Sequence, residues 1–169
     1  MYSIRPIQPE DNAQIASIIR RVSQEFGLAA ESGFAVGDSI LDELYQVYQQ
    51  PKSAYWIVVN QQNKIYGGGG IAPLKGDANI LEIQKMYFLP EIRQQGFAKK
   101  ILELSFEFAQ AHQIKSVYLE TTKVLWQAVK LYEKLGFQHL DYPEGNTGHS
   151  DACEIWMLKT LSIERFFSR

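Results

Sequence analysis

The first fifty positions combine one short extended segment with apolar residues that recur at helical spacing. The segment YSIRPI predicts a strand, and the polar sequence PEDN introduces an amphipathic helix. Asp38 is predicted to cap a second helix, which ends before Pro51. The apolar face of the first helix consists of Ile15, Ile18, Ile19 and Val22. That of the second helix consists of Ile40, Leu41, Leu44, Tyr45 and Tyr48.

The middle of the chain changes to apolar runs that indicate strands. AYWIVVN and KIYGGGGIA flank the polar turn 61–63, which predicts an antiparallel hairpin, and NILEIQKMYFL predicts a third neighbouring strand. Within the glycine run 67–70, Gly67 and Gly69 together with Ala72 match a short dinucleotide fingerprint. Such a fingerprint must open a helix, however, and Pro73 and Gly76 follow here instead. We therefore interpret the glycine run as a strand that bulges, or that backbone or a ligand approaches closely.

The second half of the chain alternates predicted strands with predicted helices. A loop from Pro90 leads to a helix that begins at Gly96. Its buried stripe is predicted to consist of Phe97, Ile101, Leu104 and Phe108. The strand SVYLE precedes a helix that Gly136 terminates, and CEIWMLK predicts the last strand. The apolar face of the helix before Gly136 consists of Val124, Ala128, Leu131 and Leu135.

Composition and charge restrict the classes of function. A chain of 169 residues with 46% apolar residues and six prolines predicts one domain, 1–169, with a continuous core. The chain has 17 Lys+Arg and 19 Asp+Glu, and its basic residues do not form long clusters. Nucleic acid is therefore not expected as the principal partner. The single Cys153 and three scattered histidines predict neither a disulfide nor a metal site. Without a signal-peptide pattern or an apolar run of ~20 residues, we expect a cytoplasmic protein with no membrane span.

The sequence around Gly96 has the features of a phosphate-binding helix start. The first amides of a helix have no acceptor within it, and their partial positive charge favours an anion. Gly96 removes the Cβ that would hold phosphates away, and glycine tolerates a positive φ. The alternative is an ordinary loop-to-helix turn that happens to contain a glycine.

Two motifs in sequence order resemble the GNAT superfamily of N-acetyltransferases. Residues 93–98, RQQGFA, match the family's R/Q-x-x-G-x-G/A acetyl-CoA motif. Ala128 and the sequence LYEKLGF match its later helix-strand motif, which follows ~40 residues on. The resemblance covers most of the chain and implies an α/β fold with a central twisted mixed sheet flanked by helices. It also implies that the strands ILEIQKMYF and SVYLE splay apart at one end, where the pantetheine arm of the cofactor enters.

The resemblance implies acetyl-CoA as the cosubstrate. Main-chain groups of Met86 and Phe88 are expected to pair with the pantetheine amides like an added strand. Backbone N–H groups of residues 94–99 are expected to hold the pyrophosphate, with Arg93, Lys99 and Lys100 supplying positive charge. The expected cofactor-binding residues are Met86, Tyr87, Phe88, Arg93, Gln94, Gln95, Gly96, Phe97, Ala98 and Lys99.

Two residues are candidates for catalysis under this resemblance. An alkyl amine has a pKa near ~10, so a base must remove its proton before it attacks the thioester. Glu82 stands where some relatives place that base, acting directly or through a water. It could equally be a solvated edge residue or one that is ion-paired with Lys85. Tyr132 stands where many relatives place the acid that protonates the departing thiolate, and the alternative is a half-buried aromatic residue. Leu125 replaces a frequent asparagine, which leaves that cofactor contact to the backbone or to Thr121, Thr122 or Lys123.

The segment before the last strand offers a different chemistry. If it were extended, His149, Asp151 and Cys153 would share one face, as a Cys–His nucleophile or metal site requires. The alternative is a buried thiol beside a polar loop that reaches over the amine site, with His149 and Asp151 in contact with substrate. The segment GLAAESGFAVGD is expected to form the other wall of the acceptor pocket.

We therefore predict an N-acetyltransferase that moves acetyl from acetyl-CoA to a primary amine of a small molecule or peptide, by direct attack in a ternary complex. The alternatives are a non-catalytic acyl-CoA sensor and a transferase for a longer acyl group. The sequence does not determine the oligomeric state, although the apolar tail IERFF and the expected exposed aromatic residues of the hairpin are compatible with a homodimer.

Overall fold

The computed structural model describes residues 1–28 and 37–162, which contain both helices and strands. The α-helices in these ranges are α1 (Asn12–Glu25), α2 (Leu44–Val47), α3 (Phe97–Ala111) and α4 (Trp126–Lys134). The strands are β1 (Tyr2–Pro6), β2 (Ala54–Asn60), β3 (Ile65–Leu74), β4 (Asp77–Phe88), β5 (Ser116–Thr121), β6 (Gln138–His139) and β7 (Ile155–Thr160). No helix in the two described ranges has the length and apolarity that a bilayer crossing requires.

The strands form one mixed sheet in the order β1-β2-β3-β4-β5-β7-β6. β4 and β5 run parallel, whereas the other neighbouring pairs are antiparallel. Alternate residues of β2 face opposite sides of the sheet. Ile57 packs in a cluster with Ile15 of α1, whereas Val58 packs with Ile101 of α3. Helices therefore cover both faces, which confirms the predicted fold class.

The two parallel strands separate at one end. β4 and β5 pair only from Ile80↔Ser116 to Glu82↔Tyr118. Beyond that point β4 continues to Phe88 and β5 continues to Thr121, but the two strands no longer pair with each other. The predicted splay is therefore confirmed, and one edge of β4 is left open to a ligand at the centre of the sheet.

A bulge in β4 accompanies this separation. Pairing of β4 with β3 shifts register between Gly68 and Gly70, and Lys85 opposite this shift has a φ of 51°. The hydroxyl of Tyr55 donates to the Lys85 carbonyl at 2.7 Å. A Cβ at either of those two glycines would lie 2.6 Å from the Tyr55 ring. The glycine run therefore makes room for the ring that holds the bulge, which confirms a bulged and closely approached strand.

The second predicted helix is shorter than expected, and its predicted cap is wrong. One 3₁₀ turn, Leu41–Glu43, is followed by the single α-helical turn of α2. Leu41, Leu44 and Tyr48 are buried as predicted, but Ile40 is exposed. The carboxylate of Asp38 accepts from Lys85 Nζ at 2.8 Å instead of capping the turn. The Asp38 side chain, which the local sequence pattern assigns to a helix cap, instead forms an ion pair with Lys85.

The buried faces of α3 and α4 also differ from the predicted stripes. In α3 the residues closest to the sheet include Ser105 and Ala109, whereas Leu104 and Phe108 are only half-buried. Small side chains let the helix lie close to the sheet, and the larger ones pack at its flanks. α4 begins only at Trp126, after the 3₁₀ turn Lys123–Leu125, so Val124 stands outside the helix and is exposed.

Candidate active site

Two cavities meet where β4 and β5 separate. The first, named here the polar pocket, has a volume of about 450 Å³ and contains Glu82 in its wall. The second, named here the α3–α4 groove, has a volume of about 430 Å³ and runs between the start of α3 and α4. Residues that line both cavities are Met86, Tyr87, Leu125 and Tyr132. A ligand in the groove can therefore reach a ligand in the pocket past Tyr132.

The structure brings nearly all of the predicted cofactor residues together in the α3–α4 groove. Gln95 is the exception, because its side chain donates to the Glu91 carbonyl at 2.8 Å and it does not line the groove. The residues that do line it are Met86, Tyr87, Phe88, Arg93, Gln94, Gly96, Phe97, Ala98 and Lys99. Exposed Trp126 and Val124 at the start of α4 complete the opposite wall and were not foreseen from the sequence.

The start of α3 has the backbone of an anion site. Gly96 has a φ of 86°, in the left-handed region, and a Cβ there would meet no atom within 4 Å. Gln94 also has a positive φ of 60°. The amide of Lys100 donates to the Gly96 carbonyl, so the amides before it have no acceptor in the helix. Free donors and open space therefore coincide at this helix start.

Arg93 lines the α3–α4 groove, and its guanidinium is also bound within the protein. Its guanidinium donates to Glu25 of α1 at 2.6 and 3.1 Å, and its Nε donates to the Phe88 carbonyl at 2.9 Å. It also lies over the Phe26 ring, 5.1 Å from the centroid. Because its charge is already matched by Glu25, Arg93 ties the loop to α1 and the end of β4. The exposed ammonium of Lys99, 3.9 Å from Glu103, is the more available cation at this helix start.

Glu82 lies on β4 inside the polar pocket. Gln84 Nε2 donates to Glu82 Oε1 at 2.7 Å, and the Tyr48 hydroxyl donates to Gln84 Oε1 at 2.8 Å. Lys85 pairs with Asp38 and not with Glu82, so the ion-paired alternative for Glu82 is wrong. Burial raises the pKa of Glu82 to about 7, against an opposing effect of the Gln84 hydrogen bond. This carboxyl can therefore exchange a proton near neutral pH.

The raised pKa predicts that Glu82→Gln stabilises the folded protein at alkaline pH. Between its ordinary pKa of 4.5 and the folded value of about 7, the folded state binds a proton that the unfolded state has released, so stability falls as pH rises. Glutamine carries no charge to bury and keeps the oxygen that accepts from Gln84. We expect a gain on the order of 1–3 kcal/mol at pH 8 that vanishes near pH 4, measured by denaturant unfolding. An equal gain at both pH values would contradict the assigned pKa.

The other two carboxylates of the polar pocket are already occupied. Glu120 accepts hydrogen bonds from the hydroxyls of Tyr118, Thr147 and Ser150. These contacts fasten the loop before β7 to the end of β5, so Glu120 has a positioning role. Asp38 lies between Lys85 Nζ and His149 Nε2, at 2.8 and 3.3 Å. Both acids are therefore engaged in contacts within the protein.

Tyr132 lies on α4 where the two cavities join. Its side chain is 7% exposed and packs edge-on against Phe137, with ring centroids 5.8 Å apart. Burial raises the pKa of the phenol above its ordinary value. Tyr132 therefore keeps its proton at neutral pH and can donate it as a hydrogen bond to an anion in the groove.

The segment before β7 does not form the extended arrangement that a Cys–His site requires. The amides of Ala152 and Cys153 both donate to the His149 carbonyl, which makes a turn, and β7 begins only at Ile155. His149 and Cys153 line the polar pocket, but Asp151 is exposed and does not. Burial raises the pKa of the Cys153 thiol to about 12, so it stays protonated. No trio of His, Cys, Asp or Glu within 1–28 and 37–162 is arranged to hold a metal ion.

Sequence reasoning missed Gln84 and Glu120, which complete the pocket. Gln84 lies two residues from Glu82 and shares its face, so strand alternation could have indicated the contact. Glu120 ends a predicted strand, but its hydroxyl partners come from a loop that carries no pattern. The predicted wall formed by GLAAESGFAVGD falls mostly at 29–36, outside the described residues. Of its described residues, Leu28 and Asp38 line the polar pocket.

Comparison with known proteins agrees with this geometry. The model of the acetyltransferase (GNAT) family matches residues 20–137. The chain is 53% identical over 159 residues to the uncharacterized N-acetyltransferase YjgM of Escherichia coli K12, covering 94% of each chain. It is 33% identical over 107 residues to N-acetylaspartate synthetase of Xenopus tropicalis, covering 62% of this chain and 38% of that protein.

A solved structure shows the same fold. The phosphinothricin acetyltransferase of Sinorhizobium meliloti, in complex with AcCoA, superposes with a TM-score of 0.72 at 14% identity, covering 95% of this chain and 89% of that one. The family model spans more than half of the chain, and the E. coli relative aligns with nearly all of it. The chain therefore belongs to the acetyltransferase (GNAT) family and is an acyltransferase enzyme.

Proposed function

We propose that this protein transfers the acetyl group of acetyl-CoA to a primary amine by direct attack within a ternary complex. The observation that carries this proposal is the junction of the α3–α4 groove with the polar pocket at Tyr132. One cavity suits a long anionic cofactor and the other a small polar acceptor. The AcCoA complex of the S. meliloti enzyme supports the cofactor, and the name of N-acetylaspartate synthetase supports a nitrogen acceptor.

In this proposal the groove holds coenzyme A through the backbone. The amides from Gln94 to Lys99 bind the pyrophosphate, because they lie at a helix start with no helical acceptors. Lys99 adds charge there. The open edge of β4 at Met86 and Phe88 pairs with the pantetheine amides, since β5 has turned away from it. The acetyl group is thereby directed toward Tyr132 and the polar pocket.

The proposed chemistry needs one base and one acid. The acceptor amine enters protonated, and Glu82 removes its proton directly or through a water. With a pKa of about 7, Glu82 is ionised in a large fraction of molecules at neutral pH. The amine nitrogen then bonds to the acetyl carbon as the carbon–sulfur bond breaks, and the nitrogen releases its second proton to water as the neutral amide forms. Tyr132 gives its proton to the leaving thiolate. Proton exchange with water restores both residues.

Cys153→Ala is expected to leave the turnover number within about twofold of the parent. A nucleophilic cysteine must be a thiolate, and a pKa of about 12 keeps Cys153 protonated at neutral pH. The check is the rate of coenzyme A release from acetyl-CoA with a thiol reagent, together with intact-protein mass spectrometry. A trapped acetyl-enzyme in the parent that is missing in the variant would establish the covalent route instead.

The direct test is product formation with a panel of primary amines and acyl-CoA donors. We expect acetylated amine, stoichiometric coenzyme A, and initial-rate lines that intersect when both substrates are varied. Parallel lines would indicate a covalent intermediate. Preference for propionyl- or succinyl-CoA would favour a longer acyl donor, and binding of acetyl-CoA without transfer to any amine would favour the sensor alternative. Cytoplasmic location and homodimerisation stay predictions from sequence, and IERFF, 163–167, lies outside the described residues.

A further inference from the structure

Most ionisable side chains of the polar pocket are bound to partners within the protein. Lys85 is matched by Asp38, and the hydroxyls on the loop before β7 occupy Glu120. Two charged groups differ from the rest. Among the carboxylate and ammonium groups of residues 1–28 and 37–162 that line the pocket, Glu82 Oε2 and the Lys75 ammonium have neither a hydrogen-bonding nor an ion-pairing partner. The pocket therefore offers one carboxylate oxygen and one ammonium group that have no partner within the described residues.

The backbone fixes Lys75 at the rim of the pocket. It lies in the tight turn between β3 and β4, where Gly76 has a φ of 96°. The Lys75 carbonyl accepts from the Asn146 amide at 2.6 Å. A Cβ at Gly145 would come within 2.5 Å of that same carbonyl, so the loop before β7 packs directly on the turn. The lysine thus projects from a held position, although its ammonium is exposed to solvent.

The spacing between the two unmatched groups follows from strand register. Glu82 of β4 lies opposite Ala72 of β3, and Lys75 lies three residues further along the hairpin. Three residues of strand span on the order of 10 Å between backbone positions. The side chains of Lys75 and Glu82 extend from these backbone positions. The separation between their charged groups is therefore comparable to the size of a small molecule. A polyamine would put its second ammonium toward Lys75 and be repelled, whereas a carboxylate would be attracted.

We propose that the acceptor carries a carboxylate as well as its amine, with Lys75 binding the carboxylate while Glu82 receives the proton of the amine. This inference rests on the proposed acetyl transfer and specifies its substrate class as amino-acid-like molecules. Lys75 does not touch the reacting atoms and is a residue for substrate selection. Its contribution is therefore expected in the KM for the acceptor and not in kcat.

The test compares free amino acids with their carboxamides as acetyl acceptors. Suitable probes are proteinogenic α-amino acids, β-alanine and γ-aminobutyrate, each beside its amide, together with spermidine and tyramine as amines without a carboxylate. We expect the free acids to be acetylated with kcat/KM at least tenfold above their amides. In Lys75→Met the KM for the acids should rise roughly tenfold with kcat nearly unchanged, and the amides should be unaffected.

Two further variants separate charge from general disturbance of the hairpins. Lys75→Arg keeps the positive charge and should retain the preference for acids. Lys64→Met removes an exposed lysine of the β2–β3 hairpin, outside the polar pocket, and should behave like the parent. Because Lys75 is exposed, none of these changes should impair folding, which a melting curve verifies.

The outcomes distinguish this inference from the function on which it rests. Equal or faster acetylation of amides, spermidine or tyramine would overturn the carboxylate inference while leaving acetyl transfer to amines established. If Lys75→Met still preferred free acids over amides, Lys75 would not be the residue that binds the carboxylate, and this assignment would be overturned. If acetyl-CoA binds but no amine of the panel is acetylated, the proposed function fails and the inference fails with it.

Discussion

Replacing Tyr132 with phenylalanine is expected to lower kcat by roughly 10²–10³-fold, the range in which loss of a general acid falls. The substitution removes one hydroxyl from a buried ring whose packing against Phe137 remains. The phenol is the only group assigned to protonate the departing thiolate, and burial keeps it neutral, with a raised pKa, until that step. The measurement is steady-state kinetics together with acetyl-CoA affinity, and the affinity should change less than about threefold.

Tyr66→Phe is the matched control for this change. Tyr66 is a partly buried tyrosine that packs in the core and lines neither cavity, so its loss of a hydroxyl should leave kcat unchanged. If Tyr132→Phe kept a parental kcat with saturating acceptor, Tyr132 would be a packing residue. The proton of the thiolate would then come from solvent, and the role assigned to the junction of the two cavities would be wrong.

Substituting Gly96 by glutamate is expected to raise the KM for acetyl-CoA at least 100-fold. A Cβ at this position meets no protein atom within 4 Å, so the side chain can enter the space before the helix start. Its carboxylate would there compete with the pyrophosphate for the amides and repel it, and like charges brought together cost several kcal/mol. In the parent, acetyl-CoA at ~100 times its dissociation constant should raise the melting temperature by on the order of 5–10 °C, and the variant should lose this shift.

Gly96→Ala separates backbone strain from charge. Both variants must place a non-glycine residue at a φ of 86°, which costs on the order of 1–3 kcal/mol of stability. Alanine adds no charge, so most of the acetyl-CoA shift should remain. If Gly96→Ala and Gly96→Glu lowered the affinity for acetyl-CoA equally, the backbone conformation at this position would account for the loss of binding. A full shift in Gly96→Glu would place the pyrophosphate elsewhere and overturn the helix-start site.

The sequence was sufficient for features that depend on local chemistry or on motif order. Gly96 was predicted from the loop-to-helix pattern, and its left-handed backbone is what that pattern requires. The glycines 67–70 were correctly separated from a dinucleotide site because no helix follows them. The sequence also predicts that other groups approach these glycines closely. It does not identify the Tyr55 ring as that group, because the contact depends on the register between two strands.

The features that sequence reasoning missed arise from contacts between distant segments. Asp38 looked like a helix cap, yet it pairs with Lys85, 47 residues away. The motif predicts that Arg93 supplies charge to the pyrophosphate, and it does not indicate that Arg93 also pairs with Glu25 of α1, 68 residues away. The raised pKa of Glu82 likewise comes mainly from burial. Charge pattern along the chain indicates which groups are ionisable, whereas partners and burial are set only when the helices cover the sheet.

The bulge of β4 has a consequence for how a ligand associates with this protein. Tyr55, a fully enclosed side chain, donates to the Lys85 carbonyl at the bulge. Side chains of the core thus keep β4 and β5 apart. The free-energy cost of this separation is part of the folding free energy of the protein. A cofactor meets a slot that is already open, so encounter, and not rearrangement of the sheet, should limit the rate of association.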